Sequence, residues 1–374
     1  MSPTLGAAVP AGVDKNPSPP DKALHMSDIR IGLIGGSGLG AVLAEQTTGI
    51  LNVIDTPFGP PSAPIVETEW NGVPVFYLSR HGPGHTLNPS QVPYRANIFA
   101  LKKLGVTHVI ASGAVGSLRE ELRPRDLVIV DQIIDKTRRP ATFYDAAAVH
   151  VEFAEPFCPA LRRAVLESGA FVALAGREGS GFGIQGSGAE SADGIADSAS
   201  VADPSSSPEP RTPNPEPSFG VHDGGCYVVM EGPAFSSRAE SLMHRLWGGD
   251  VIGMTAMPEA KLAREAEMAY ALIALVTDYD SWKMPAPVQA GETGADKPDP
   301  FVLLSEIIAN LTAATHNAIA VMKKTVEQIA AHPARVSDYP AREALKLAIW
   351  SNKSAIPASE VQRLAPLWVK YFGD

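Results

Sequence analysis

Several things are scarce in this chain. Among 374 residues there are two cysteines, Cys158 and Cys226, so no disulfide framework is expected and a reducing compartment, cytoplasmic or also nuclear, fits. No run approaches the roughly 18–20 apolar residues of a membrane helix, so no membrane partner is expected. Basic side chains are outnumbered: 31 Lys and Arg against 41 Asp and Glu leave a net charge of −10. That balance argues against nucleic acid or an anionic membrane as the main partner, and an anionic substrate would need a local basic pocket. The nine histidines show no Cys/His ligand spacing, so no metal site is suggested. A Gly-x-Ser-x-Gly elbow and a Walker lysine motif are both missing. Residues 1–27 lack a charged start followed by an apolar core, so they do not look like a signal peptide. They read as a disordered N-terminal tail rich in Pro, Ala and Gly.

What is present is a large apolar fraction, 45%, arranged in alternating strand-like and helix-like segments. Strands are expected at Ile29–Ile34, Val73–Leu78, Thr107–Ala111, Leu127–Ile134 and Tyr227–Met230, with a short one ending near Val251. Helices are expected at Ala96–Leu104, Pro159–Ser168, Ser236–Trp247, Pro258–Tyr270, Phe301–Ala331 and Ala341–Trp350. Such alternation predicts an α/β fold: a mixed, mostly parallel central sheet flanked by helices, in a single domain over residues 28–374. Residues 177–225 interrupt it. They are low in complexity and hold eight acids against two arginines, so they cannot bury enough surface to offset their ordering entropy and are expected to be a disordered insertion. Met284–Pro300 has the same character.

The chemistry concentrates at strand ends. The apolar run from Ala271 to Val276 stops abruptly at Thr277-Asp278-Tyr279-Asp280. In an extended chain Asp278 and Asp280 share a face. Acids at the carboxyl end of a buried strand stand where open α/β sheets bind ligands, and crowding pushes their pKa values apart, so that one can stay protonated. Gly35 to Gly40 form a glycine turn that could bring backbone N–H groups and the Ser37 hydroxyl to an anion; Gly36, Gly38 and Ala41 also permit a dinucleotide interpretation. Arg80-His81-Gly82 offers a guanidinium fork for phosphate with an imidazole as second donor, or else a surface salt bridge. Small residues from Ser112 through Gly113 and Ala114 to Ser117 suggest backbone packed on a ligand or plain loop packing. Phe235, after Glu231-Gly-Pro, could stack on a planar ring or lie in the core, and Ser236 is a plausible helix cap. Thr255 could bind phosphate, and Met254 could line a sugar pocket.

In order along the chain, Gly-Gly-Ser-Gly, Arg-His-Gly, Ser-Gly-Ala-Val-Gly-Ser-Leu, Glu-Gly-Pro-Ala-Phe-Ser-Ser-Arg-Ala-Glu-Ser, Met-Thr-Ala-Met-Pro-Glu and Thr-Asp-Tyr-Asp resemble the trimeric purine nucleoside phosphorylase family, most closely its 5′-methylthioadenosine phosphorylase branch. The resemblance covers roughly residues 28–175 and 226–330. It implies a homotrimer without cofactor that binds a small nucleoside, with inorganic phosphate as co-substrate. Phosphate would be held by Ser37, Arg80, His81, the Gly113-Ala114 backbone and Thr255. Met254 would lie on the ribose and Phe235 on the purine. Asp278 would meet N7 and the exocyclic amine, with Asp280 completing the amine contact. His150 would reach a neighbouring subunit's ligand. Ser37 stands where the family more often has Thr, and Gly113 where the branch tends to have a second Thr.

The implied reaction is phosphorolysis of S-methyl-5′-thioadenosine to adenine and 5-methylthioribose 1-phosphate, with Asp278 and Asp280 as the catalytic pair. A neutral Asp278 can protonate or hydrogen-bond N7 of the leaving purine. A carboxylate accepts from a 6-amino group and repels a 6-oxo group, which favours adenine. Alternatives are a 6-oxopurine or methylthioinosine phosphorylase, a nucleotide-dependent oxidoreductase and a non-catalytic nucleoside sensor.

Overall fold

In the computed structural model of this chain, residues 28–36, 39, 49–179, 219–283 and 300–372 are described. Ser37, the tail at 1–27 and most of the two expected loops lie outside the described residues. The strands are β1 Ile31–Gly35, β2 Ile50–Asn52, β3 Ile65–Trp70, β4 Val73–Ser79, β5 His108–Ser117, β6 Leu127–Ile129, β7 Gln132–Asp135, β8 Val221–Asp223, β9 Cys226–Val229, β10 Val251–Gly253 and β11 Ala269–Tyr279. The longer helices are α1 Tyr94–Lys103, α2 Pro159–Gly179, α3 Arg238–Leu246, α4 Ala256–Glu265 and α5 Pro300–Ala331.

All the strands join one mixed sheet. Parallel pairs link β1 to β4 and β5, β11 to β5, β10 to β9, β7 to β9 and β6 to β8. Antiparallel pairs are β2–β3, β3–β4, β6–β11 and β5–β10. The sheet branches at β5, which takes β1 and β11 along its length and β10 at its last two residues.

The centre of the sheet is buried on both faces, which is why its strands read as continuous apolar runs. On β11, Tyr270, Leu272, Ala274 and Val276 pack toward one core with α1, α4 and the C-terminal residues Leu364, Leu367 and Trp368. The alternate residues Ala269, Ala271, Ile273 and Leu275 join the other core, with α2 and α5. The period of two is the pleat of an extended chain. Among the described residues, no helix is long and apolar enough to cross a membrane.

Four segments differ from the sequence expectation. Leu127–Ile134 is two strands, because Asp131 turns out of the ladder to accept from Gly225 N and β7 leaves for β9. The helix expected to reach Tyr270 ends at Glu265, and Glu267 takes φ 54° before β11 starts. Ala341–Trp350 is not a helix: a 3-10 turn covers Pro340–Glu343, and Ile349 forms a bridge to Val149. The inserted segment is narrower than expected at both ends. Helix α2 runs on to Gly179, Phe219 is buried and β8 pairs in parallel with β6.

Buried Asp126 fastens that re-entry. It accepts from Gly220 N at 2.6 Å, Arg123 N at 3.1 Å and His222 Nε2 at 2.9 Å. Burial raises its pKa, but the His222 and backbone donors outweigh this and hold it below the ordinary carboxylate range. A group with a depressed folded pKa stabilises above its unfolded pKa and loses that contribution as pH falls through the folded value. We expect Asp126→Ala to lose about 3 kcal/mol in urea unfolding near neutral pH. The gap from wild type should close as pH drops below the carboxylate range.

Candidate active site

The site is built where β5 and β11 end together. Their parallel register runs from His108↔Ala269 to Ser117↔Tyr279, with a shift between Val276 and Asp278 that leaves Thr277 as an extra residue. Such a bulge bends a strand and re-aims its side chains. It turns Asp278 and Asp280 into a cavity of about 620 Å³, within the usual range for a small-molecule site. Gly116 makes room for them, since a Cβ there would meet Asp280 Cβ at 3.3 Å. Small residues thus continue β5 to Ser117, where a loop was expected after Ala111; ten residues of pairing override their weak strand propensity.

Asp278 is held by Thr277 Oγ1 at 2.6 Å, and that hydroxyl also lies 3.2 Å from Val115 O. A hydroxyl has one proton and a carbonyl only accepts. With Asp278 ionised, the Thr277 proton serves one partner. Donated to Asp278 Oδ1, it leaves Oδ2 to carry the acid proton when Asp278 is neutral. Burial pushes the Asp278 carboxyl up, Thr277 draws it down and Asp280 adds to the rise; the net direction is upward. Asp280 Oδ2 is buried with no hydrogen-bond partner.

At the other end lies Arg80, fully buried. Its Nε and Nη2 each meet a Glu259 oxygen at 2.8 Å, and Nη1 donates to Ser112 O at 2.7 Å. Tyr270 donates to the same carboxylate at 2.8 Å. One guanidinium fork is therefore occupied inside the protein. Of five N–H donors, one on each terminal nitrogen remains. His81 donates through Nδ1 to Leu87 O at 2.8 Å, since a carbonyl cannot donate. Burial, aided by Arg80 and His85 and opposed by the Leu87 bond, lowers its pKa to about 4. Neutral His81 thus presents an Nε2 lone pair, and not the second donor expected from the sequence. That lone pair suits a protonated phosphate oxygen.

Thr255 stands at the start of α4 and makes no side-chain capping bond, which leaves its hydroxyl for a ligand. Met254 is pressed into place by Gly232, at φ 66°, where a Cβ would lie 2.5 Å from Met254 Sδ. Arg139 fixes the backbone behind both, donating to Met254 O at 2.7 Å, Met257 O at 3.0 Å and Glu231 Oε1 at 2.8 Å. Phe235 lines the cavity mouth, 84% exposed. Leu303, Leu304, Ile307 and Leu311 of α5 supply an apolar wall.

One cavity therefore gathers Arg80, His81, Gly113, Ala114, Phe235, Met254, Thr255, Asp278 and Asp280. Ser37 falls outside the described residues; Gly36 beside it does line the cavity. His150 is not among the lining residues. It lies against Trp350, with ring centroids 4.6 Å apart and the planes tilted by 58°, on the surface. The helix cap is Ser237, one residue later than expected, in a capping box with Glu240. Glu259, Tyr270, Arg139 and Thr277 had no assigned role in the sequence.

Glu259→Gln leaves the Arg80 charge uncompensated in the interior. We expect a loss of about 3–5 kcal/mol in urea unfolding. Added phosphate should raise the melting temperature of the variant more than that of wild type, because the anion then supplies the missing countercharge.

Comparison with known proteins agrees with this geometry. Residues 30–327 match the model of the phosphorylase superfamily. The S-methyl-5′-thioadenosine phosphorylase of Synechocystis sp. is 40% identical over 93% of this chain and 89% of that protein. The enzyme of the same name from Sclerotinia sclerotiorum is 43% identical over 70% of this chain and 72% of its own length. A methylthioadenosine phosphorylase from an antarctic soil metagenomic library superposes with TM-score 0.69 at 39% identity, covering 91% of this chain and 98% of that one. A mutant of the Schistosoma mansoni adenosine/methylthioadenosine phosphorylase, in complex with methylthioadenosine, gives TM-score 0.65 at 28% identity, covering 86% and 99%. With a sheet that ends in paired acids at one end of a cavity and a caged arginine at the other, the chain belongs to the phosphorylase superfamily, in the branch of the S-methyl-5′-thioadenosine phosphorylases.

Proposed function

We propose that this chain catalyses phosphorolysis of S-methyl-5′-thioadenosine to adenine and 5-methylthioribose 1-phosphate. The observation that carries it is one cavity lined by Arg80, His81 and Thr255 at one end and by Asp278 and Asp280 at the other. Gly113 adjoins Thr255, and Gly116 adjoins Asp280. Three residues of strand separate them by about 10 Å. Phosphate at the first and purine at the second leave a ribose between, over Met254.

A phosphate oxygen attacks C1′, the C1′–N9 bond breaks, and its electron pair passes into the purine. The proton of a neutral Asp278 goes to N7, and Asp280 Oδ2 accepts from the exocyclic amine. Acid help of this kind contributes typically about 10²–10⁴-fold; holding phosphate in line and stabilising the ribosyl cation by its charge supply most of the rest. Phosphate is a co-substrate, and the scheme calls for no cofactor or metal. The α5 leucines suit a methylthio group better than a hydroxyl.

The reading extends to a homotrimer. His150, Leu347 and Trp350 form an exposed patch, with Leu347 86% and Trp350 72% exposed. A neighbour seated there brings His150 toward its own ligand. Cys158 and Cys226 are unpaired, which suits the cytoplasm or nucleus.

The test is base release from methylthioadenosine, adenosine and inosine, with and without phosphate. Adenine release that requires phosphate and is fastest with methylthioadenosine is expected; preference for inosine would overturn the roles of Asp278 and Asp280. Asp278→Asn should cut turnover of 6-aminopurine nucleosides at least about tenfold, and unchanged kinetics would remove it from the mechanism. The acid form of Asp278 exists below its pKa, so activity should fall as pH rises through that value. Thr277→Val removes a contact that lowers this pKa, so the basic limb of kcat/KM should move to higher pH.

A further inference from the structure

Tyr227 sits on β9 behind the anion end of the cavity. It is fully buried, and its hydroxyl has no hydrogen-bond partner. An orphaned buried hydroxyl is destabilising and calls for an explanation. Its surroundings supply one. A Cβ at Gly253 would lie 1.9 Å from Tyr227 Oη, so the ring crosses β10 only because residue 253 has no side chain. A Cβ at Gly113 would lie 3.9 Å from the same oxygen and 3.4 Å from Thr255 Oγ1. Two hydroxyls therefore flank one small space over β5. Arg80 lies on the Gly36 side of Gly113, since a Cβ at Gly36 would lie 3.3 Å from Arg80 Nη1 and 3.9 Å from Gly113 Cα. The backbone N–H and the hydroxyl of Thr255 both come close enough to Tyr227 Oη to pull its pKa down, yet neither meets it at hydrogen-bonding distance and angle.

We infer that Tyr227 is a positioning residue of the phosphate site: when the anion is bound, its O–H donates to Thr255 Oγ1 and turns the Thr255 proton onto the anion, across the space that Gly113 leaves open. The inference rests on the phosphorolytic function proposed above. A threonine hydroxyl has one proton and two lone pairs. Occupying a lone pair from behind leaves the proton to point forward. Among the described residues no capping bond competes for the Thr255 rotor. Burial raises the Tyr227 phenol, with Arg80 pulling it back, to about 12, so it keeps its proton near neutral pH and remains a donor. Tyr227 touches no reacting atom.

Tyr227→Phe removes the oxygen and keeps the ring. The KM for phosphate should rise about two- to tenfold, the worth of one neutral hydrogen bond, while the KM for methylthioadenosine stays within twofold, roughly the error of such a comparison. The melting temperature without phosphate should hold or rise, because an unpaired polar group has left the interior. A purely structural tyrosine would do the opposite: a lower melting temperature and an unchanged phosphate KM. An unchanged phosphate KM in Tyr227→Phe, with wild type showing normal phosphate dependence, would overturn the role of Tyr227 alone. Wild-type turnover independent of phosphate would overturn both the role and the function beneath it.

Discussion

The parallel pairing of β5 with β11 is the constraint on which the rest depends. It carries ten paired positions, buried on both faces up to the cavity, and it brings two sequence-distant strand ends side by side. Everything chemical is arranged around that end. β11 brings the acids and their bulge; β5 brings the absence of side chains. Had β5 carried ordinary residues at 113 and 116, the pairing would survive but the cavity would fill. Had β11 run without its bulge, Asp278 would keep the strict alternation of the strand. The fold thus gives up strand propensity at Gly113 and Gly116 for space, and the long apolar pairing upstream makes that loss tolerable.

The electrostatics at the two ends are not mirror images. At the anion end Arg80, the one permanent cation among the described residues that line the cavity, already has its countercharge in Glu259. In the proposed reaction phosphate therefore enters a pocket of nearly zero local charge and is held by directed donors, the two remaining N–H groups and the Thr255 hydroxyl, while the His81 lone pair accepts from a protonated phosphate oxygen. An anion fully neutralised by cations has little field left for the ribosyl cation that develops beside it. One held by hydrogen bonds in a water-poor site keeps its charge where the transition state needs it. At the base end the logic inverts. Asp278 is pushed toward its neutral form by burial and by Asp280, and Thr277 gives either form a partner.

Much of this was legible in the chain and some was not. The α/β class followed from alternating periodicities, and the site from polar residues that interrupt apolar runs at strand ends. Thr277-Asp278-Tyr279-Asp280 is conspicuous because carboxylates at the end of a buried strand need a reason. The cage around Arg80 was not legible. Glu259 lies 179 residues away on a helix, and nothing local distinguishes it from a surface acid. The tautomer of His81 depends on one carbonyl, Leu87 O, fixed by a loop. The small-residue stretch after Ala111 looked like a loop because propensity is local, whereas its strand character comes from β11. The helix expected at Ala341–Trp350 failed for the converse reason: its helical periodicity is real, but Glu267 accepts from Leu345 N at 3.1 Å and Ile349 pairs with Val149, so tertiary bonds claim the backbone first.

The separation between chemistry and selectivity has the same origin. Strand ends are rigid and hold the reacting groups. The apolar wall comes from α5, a different element that can vary without disturbing them. A wall of Leu303, Leu304, Ile307 and Leu311 offers no hydrogen-bond partner to a 5′-hydroxyl, and burying one unpaired costs roughly 1–3 kcal/mol. A methylthio group instead gains about 0.8 kcal/mol for each buried carbon of methylene size. The two effects add to a preference of about one to three orders of magnitude, and apolar pockets rarely reject an added hydroxyl by more than about 10²-fold. Adenosine should therefore be a poor substrate and not an excluded one, because the wall disfavours its hydroxyl while the β5–β11 end accepts its base and ribose unchanged.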